Sequence, residues 1–362
     1  MTGYASDLQG HDPPTTKEGW ARFVSHQPPH VERLAPELLN VLSAEDREVY
    51  DEARIAHHAR LVVVATPTVD QIVKTGRRLV TLNAGTDTAR RGLIVTGDSG
   101  TGKSTALKQL GKHHELLVRR RRPFAGAFQP VVYVTVPPAA TAKVLAAEFA
   151  RFLGLPIPRN LNQVNITNMV CDVLCQLGTD LVLVDEIHNI SLTTRIGAET
   201  SDQLKYLAER IPATFVYAGI AVEDAGLFSG VRGRQIAGRF ASIATTPFAY
   251  GTRGQREQWT ALVSAMEHAL CLHRHRTGSL VRLANYLHQR TGGMIGSLSH
   301  LIRDAAVEAI FDGTEQITRT SLARVVLDHA AEHLPATAAT PKPRRRTTPA
   351  AEQQADATTG AA

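Results

Sequence analysis

Apolar residues fall into two rhythms along this chain. Between residues 93 and 248 they come as short runs, Leu93–Thr96, Val131–Val136, Leu181–Val184, Thr214–Gly219 and Ser242–Phe248, each bounded by glycine, proline or polar residues. Runs this apolar suit strands covered on both faces, and the helical stretches between them indicate a parallel five-stranded α/β sheet. From residue 257 to 332 the spacing is helical throughout, punctuated by Gly278, Gly292-Gly293 and Gly313, which predicts a small all-α lid domain behind the sheet. Residues 43–83 also read as helix. Ser43 with Asp46 three places on resembles an acidic capping box, and Pro67 interrupts the run, so two helices joined at Thr66-Pro67 are expected. Ahead of them, Pro13, Pro14, Pro28, Pro29 and Pro36 alternate with Trp20 and Phe23, the pattern of an extended or partly helical arm whose aromatics are candidate docking points. The expected division is an arm over 1–42, an α/β unit with leading helices over 43–254, a helical lid over 255–334 and a disordered basic tail over 335–362.

Composition narrows the class. The 362 residues suffice for about two domains, and 43% hydrophobic with 20% charged residues excludes wholesale disorder, a collagen-like fibre and a membrane bundle. No apolar run approaches the ~18 to 20 residues that span a bilayer, and the N-terminus lacks a signal-peptide layout. Three cysteines, Cys171, Cys175 and Cys271, suit a reducing compartment, so a cytoplasmic protein with no membrane partner is expected. Cys171 and Cys175 are four apart on a predicted helix but lack a matching ligand pair, so they read as buried core thiols; His113-His114 and His273/His275 read as surface residues. The net charge of +6 leans towards a polyanionic partner such as DNA. Of that excess a net +2 lies on the tail, where Lys342, Arg344, Arg345 and Arg346 face only Glu352 and Asp356 and no Val, Ile, Leu, Met or aromatic residue offers a core.

The strongest chemical signal follows the first strand. Gly97-Asp98-Ser99-Gly100-Thr101-Gly102-Lys103-Ser104, running into Thr105 and a good helix start, fits G-x-x-x-x-G-K-[ST] in the strand-loop-helix setting that the motif needs. The glycines let backbone N–H groups and the helix N-terminus face phosphates, Lys103 reaches the β and γ phosphates, and the Ser104 hydroxyl ligates Mg²⁺. The third strand ends in Asp185-Glu186, at the carboxyl end where open α/β sheets bind ligands. Asp185 is expected in the Mg²⁺ shell, with Glu186 orienting the attacking water. ATP and Mg²⁺ are thus the expected cofactors. Hydrolysis also needs a cation to meet the developing γ-phosphate charge, and Arg239, just before the last strand, is placed for insertion by a neighbouring subunit; Arg232 and Arg234 are the fallback.

Taken together, GDSGTGKST, LVLVDEIHNI, ATFVYAGI, GRQIAGRF and TGGMIGSLSHLI resemble the TniB/TnsC family of AAA+ ATPases, ATP-binding regulators of bacterial transposition, over about residues 20 to 332. The resemblance implies an AAA+ P-loop fold, Walker roles for Lys103, Ser104, Asp185 and Glu186, and an arginine finger at Arg239. It further implies an ATPase, slow in view of two departures from the AAA+ pattern, that forms a ring or helical homo-oligomer on double-stranded DNA and recruits or stimulates a DDE transposase, with an adaptor as a further partner. Two departures from the AAA+ pattern stand out. Tyr217-Ala218-Gly219 replaces the polar sensor at the fourth strand's end, and Gly296-Ser297 stands where the lid's sensor arginine is expected. In such proteins interior loops hold DNA. Here Pro137–Lys143 and Ser191–Arg195 carry the hydroxyls and cations that phosphate contacts need, giving Lys143, Thr193, Thr194 and Arg195, with Arg119 and Arg121 of the Arg119–Arg122 run adding to the field. The rival readings are a helicase-loader-type AAA+ protein, a signalling NTPase indifferent to DNA, and a nucleotide-binding scaffold without turnover.

Overall fold

The computed structural model describes residues 12–27, 31–60, 63–122, 128–190, 195–222 and 238–327. Five parallel strands, β1 (Gly92–Thr96), β2 (Val131–Thr135), β3 (Leu181–Asp185), β4 (Thr214–Gly219) and β5 (Phe240–Ala244), lie in the order β2-β3-β4-β1-β5. The three central strands are almost wholly buried, as their unbroken apolar runs require. The fifth strand starts two residues earlier than its apolar run suggested and stops at Ala244. It is a largely exposed edge strand in which only Ile243 is buried, and its start is fixed by Phe240, whose ring stacks on Tyr217 at 5.1 Å. Thr245 N–H still donates to the Thr96 carbonyl of β1 at 2.7 Å, and the chain then leaves the ladder for the lid, where Phe248 N–H donates to the Gly293 carbonyl at 2.8 Å.

The first helices divide between two cores. Helix α1 (Lys17–Ser25) lies on α5 (Lys103–Arg121), the helix that follows β1, and α4 (Pro67–Asn83) packs beside α5 against the sheet. A short α2 (Pro36–Asn40) leads to α3 (Ala44–Ala59), which Ser43 caps by accepting from Asp46 N–H at 3.1 Å. The break at Thr66-Pro67 is present as expected, Thr66 Oγ1 capping α4 at Val69 N–H. On the β2 side, α6 (Ala142–Phe152) packs on the strand and holds α7 (Gln163–Gln176) and α8 (Arg195–Arg210). The second core is helical throughout: α9 (Arg253–His268), α10 (Ser279–Arg282), α11 (Ala284–Thr291), α12 (Ile295–Phe311) and α13 (Arg319–Arg324) close around Trp259, Leu287, Leu298 and Leu301. Helix α3, expected among the leading helices of the sheet unit, packs on this lid instead. Its fully buried Arg54 donates to both Glu315 oxygens at 2.7 Å, and Arg303 of α12 donates to the His58 carbonyl at 3.1 Å. The chain therefore crosses from one core to the other at the joint before α4.

Several sequence expectations are corrected here. Trp20 is not offered to a partner: it is fully buried, its ring lies over Gly111 and its indole N–H donates to the buried carboxylate of Glu115. His114 and His275 are buried rather than superficial, each within hydrogen-bond reach of a carboxylate, Asp180 at 2.6 Å and Glu267 at 3.0 Å. Cys171 is a core thiol, pushed up to about 11 by burial, but Cys175 is exposed. Among the described residues no helix is long and apolar enough to cross a membrane.

His58 gives the lid a pH dependence. It is buried between α3 and the lid, where its Nε2 accepts from Cys271 N–H at 3.2 Å. Burial, with the neighbouring charge of His57, lowers its pKa to about 4. The unfolded chain then takes up its proton near pH 6.5 while the folded chain resists until about 4, so stability is complete above 6.5 and falls through that window by roughly 3 kcal/mol. Urea unfolding at pH 7 and pH 4.5 checks this. His58→Gln is expected to be less stable at pH 7 and to lose less on acidification, and an identical pH loss in the variant contradicts the assignment.

Candidate functional site

The site is built where β1 turns into α5. Gly97 has φ +152, and a Cβ there would fall 2.1 Å from the Thr245 carbonyl oxygen, so only glycine lets the loop leave the strand at this angle. Helix α5 begins without a side-chain cap and without an acidic residue in its first turn. Its first N–H groups are left for an anion, as phosphate binding at a helix start requires. Lys103 is buried, its Nζ 2.7 Å from the Asp98 carbonyl; burial lowers its pKa, opposed by the charges of Glu186, Asp185 and Asp98. Ser99 to Thr105 line a cavity of about 310 Å³ together with Glu186.

At the carboxyl end of β3 the two acids are held differently. Asp185 is buried, its Oδ2 accepting from Tyr133 Oη at 2.8 Å and its Oδ1 from Glu186 N–H at 2.9 Å. Burial, then the Asp185 charge, keeps the Tyr133 hydroxyl far above its ordinary range, so it remains a donor. The Tyr133 ring stacks on Trp20 at 5.8 Å, which links the N-terminal arm to the acid. Glu186 occupies the left-handed region at φ +57, and its Oε2 lies 3.3 Å from His188 Nε2. The other His188 nitrogen accepts from Ile220 N–H at 3.3 Å, which leaves the Nε2 proton for Glu186. Hydroxyl and carboxylate oxygens from Ser104 and Asp185 are hard donors that fit Mg²⁺. No group of three or more His, Cys, Asp or Glu among the described residues offers a metal site.

Sequence reasoning missed the apolar end of the cavity. Val69 and Ile72 of α4, which belong to the sheet core, line one part, and Val64 from the joint lines another with Phe248, Met266 and Ile295 of the lid core. The joint was legible as a helix break but carried no sign of being a wall. His188 was quoted only as part of a motif, and its contact with Glu186 needs the fold. The two missing sensors acquire a physical account. Among the described residues at the end of β4, Ile220 lines the crevice with its N–H bound to His188, while Tyr217 is buried beside Phe240. At the lid, Gly296 N–H donates to the Gly100 carbonyl at 2.9 Å, and a Cβ at Gly296 would lie 3.0 Å from that oxygen and 3.2 Å from Gly100 Cα. The lid helix meets the phosphate loop backbone to backbone, so a side chain at that position requires the loop to give by a few tenths of an ångström.

Arg239 is exposed at the start of β5, where its carbonyl accepts from Gly92 N–H at 3.1 Å. It lines a larger groove of about 680 Å³ between α8 and the amino ends of β1 and β5, which has no phosphate loop and no acids of the Asp185 kind. Five residues of parallel strand, about 17 Å, separate that end from the phosphate loop, so Arg239 cannot serve its own crevice. Lys143 is exposed in the first turn of α6, on the loop that Thr200 Oγ1 ties down at the Ala140 carbonyl. Thr193 and Thr194, the Arg195 side chain, Arg232, Arg234 and the tail 335–362 lie outside the described residues. Arg119 and Arg121 do not join the Lys143 loop. Helix α5 carries them to the amino ends of the strands, where His114 meets Asp180 and Arg122 lies over Phe128, and Arg119 is paired with Glu115 at 3.0 Å.

Sheet order, phosphate loop, paired acids and helical lid define a P-loop ATPase of the AAA+ class. The chain belongs to the TniB family: the family model described as bacterial TniB protein matches residues 54–250, more than half of the sequence. In fold it is similar to the ORC2 protein of Aeropyrum pernix in ADPNP-ADP complexes, with TM-score 0.55, 16% identity, and 74% of this chain and 70% of that one covered. It is also similar to the ORC1 protein of that organism in complex with DNA, with TM-score 0.56, 15% identity and coverage of 75% and 66%. Drosophila ORC bound to DNA matches with TM-score 0.51, 12% identity and coverage of 86% and 73%. Among curated proteins none matches in sequence.

Proposed function

We propose that this chain binds ATP·Mg²⁺ in the crevice between α5 and the lid, assembles on double-stranded DNA while ATP is bound, and regulates transposition by recruiting or stimulating a DDE transposase. The observation that carries the reading is one crevice lined by the uncapped start of α5, the buried Lys103 and Glu186, with Asp185 buried beside them and near enough to act on the Lys103 charge. In it Lys103 and Gly97 to Thr105 hold the phosphates, Ser104 and Asp185 hold Mg²⁺, and Glu186 orients water. Hydrolysis is slow, because neither sensor contributes a side chain. The exposed Arg239 at the opposite end of the sheet supports completion of the site by a second copy, hence a ring or filament. The Lys143 loop supports DNA contact without base readout. The DNA in the A. pernix ORC1 and Drosophila ORC structures accords with a shared scaffold put to that use.

Sedimentation with long duplex DNA tests this: much heavier pelleting with a non-hydrolysable ATP analogue than with ADP is expected, and equal pelleting in all nucleotide states removes the reading. ATPase activity indifferent to DNA favours a signalling NTPase instead. For Arg239→Ala, turnover in the DNA-bound assembly is expected to drop by about 100-fold while ATP binding persists, and mixing with Lys103→Ala subunits is expected to restore part of it. Unchanged turnover places the trans cation elsewhere.

A further inference from the structure

Helices α4 and α5 enclose a groove of about 540 Å³ whose rim carries Lys74, Arg77, Arg78, Arg121 and Arg122. The carboxylate facing it is Asp180, already within 2.6 Å of His114. Some exposed helical arginines are paired, Arg151 with Glu148 and Arg253 with Glu257, while others, such as Arg256 and Arg282, have no ion pair among the described residues. Arg77, Arg78 and Arg121 make no ion pair among the described residues, and Lys74 has a loose one with Asp70 at 3.7 Å. Arginines in the last turn of α5 have an ordinary role against the helix dipole. That role does not extend to Lys74, Arg77 and Arg78, which sit in the body of α4, before its last turn at Asn83. Two elements with no such common cause thus aim like charges into one groove, an arrangement that an anionic ligand relieves.

The geometry selects among anions. A small phosphate is normally caught by N–H groups at a helix start, whereas this end of α5 presents carbonyls. An acidic peptide needs an aliphatic or aromatic pocket for its anchor. The groove offers only the buried Val80, the small Ala84 and the half-buried Leu117 and Val118 for that purpose, and none of the exposed large hydrophobic side chains among the described residues lies in it. What remains is an extended polyanion. Lys74, Arg77, Arg78 and Thr81 recur at i, i+3, i+4 and i+7 along about 10 Å of α4, a length over which duplex DNA presents about six phosphates. Arginine forks from two walls suit phosphodiester oxygens.

We infer that the α4/α5 groove is a second binding surface for the sugar-phosphate backbone of duplex DNA, separate from the Lys143 loop and independent of nucleotide. It rests on the proposed function in taking DNA as the polyanion. The groove lies at the amino ends of the strands, away from the phosphate loop, so ATP has no direct lever on it.

The test is fluorescence anisotropy of a labelled duplex of about 30 base pairs, without nucleotide, over about 50 to 200 mM NaCl. The wild type is expected to bind, and Arg77→Ala/Arg78→Ala/Arg121→Ala to bind at least 10-fold more weakly, with the slope of log K against log salt shallower by about 3, close to 0.9 for each phosphate that is no longer neutralised. All three side chains are exposed, so an unchanged melting temperature is expected to accompany the weaker binding. Wild-type protein that does not bind without nucleotide at the lowest salt overturns the inference. So does a triple variant that binds as the wild type does, or one that loses only its affinity for polyglutamate. If the variant loses nucleotide-free binding and ATP adds nothing to either protein, the groove stands and the ATP-gated reading fails.

Discussion

Replacing Lys103 by alanine is expected to remove ATP binding, with the dissociation constant of a fluorescent ATP analogue rising more than 100-fold. Lys103 is the first residue of α5 and is buried, so its ammonium has little solvent to compete with a phosphate. Truncating one partner of a desolvated charge pair costs about 3 kcal/mol or more, which sets the size of the effect. The fold is expected to survive, because alanine is a good helix former and burial of the ammonium is itself unfavourable in the unliganded protein. Thermal unfolding of the variant should therefore match the wild type without nucleotide and lose the upward shift that ATP gives the wild type. Tight ATP binding by this variant removes the phosphate-loop assignment and with it the proposed function.

What the sequence disclosed was local. Val182 and its neighbours had to form a buried strand because nothing in the run tolerates water, and Gly97 to Ser104 carries its function in its own backbone. The break at Pro67 is likewise a property of one residue. What it concealed were partners far along the chain. Trp20 meets Glu115 across 95 positions, Arg54 meets Glu315 across 261, and neither pair has a periodicity that announces it. An aromatic in a proline-rich arm reads as free for a partner until the cleft over Gly111 is known. The apolar end of the cavity has the same origin, since Val69 and Met266 belong to different cores, far apart in the chain. The edge strand β5 escaped exact placement because an exposed edge relaxes the demand for continuous apolarity. The missing lid arginine was visible as an absence, but its cause, the approach of Gly296 to Gly100, is a matter of a few tenths of an ångström.

Glu186→Gln is expected to keep ATP binding and to lower turnover by at least 100-fold, the scale on which a positioned base acts. The glutamate stands just beyond β3 in a left-handed conformation, and His188, fixed by the Ile220 N–H, is within 3.3 Å of its Oε2. Glutamine has the same length and its amide oxygen still accepts from His188, so geometry is retained while the charge that polarises water is lost. The neighbouring Asp185 keeps its bonds to Tyr133 and to the backbone of residue 186, so the expected Mg²⁺ site is untouched. A DNA-bound assembly of this variant should accordingly persist in ATP for as long as the wild type persists with a non-hydrolysable analogue. Phosphate release and DNA pelleting measured on the same samples separate the two effects. Normal phosphate release with normal disassembly means that another group orients the water, and His188, the side chain paired with Glu186, is then the residue to replace.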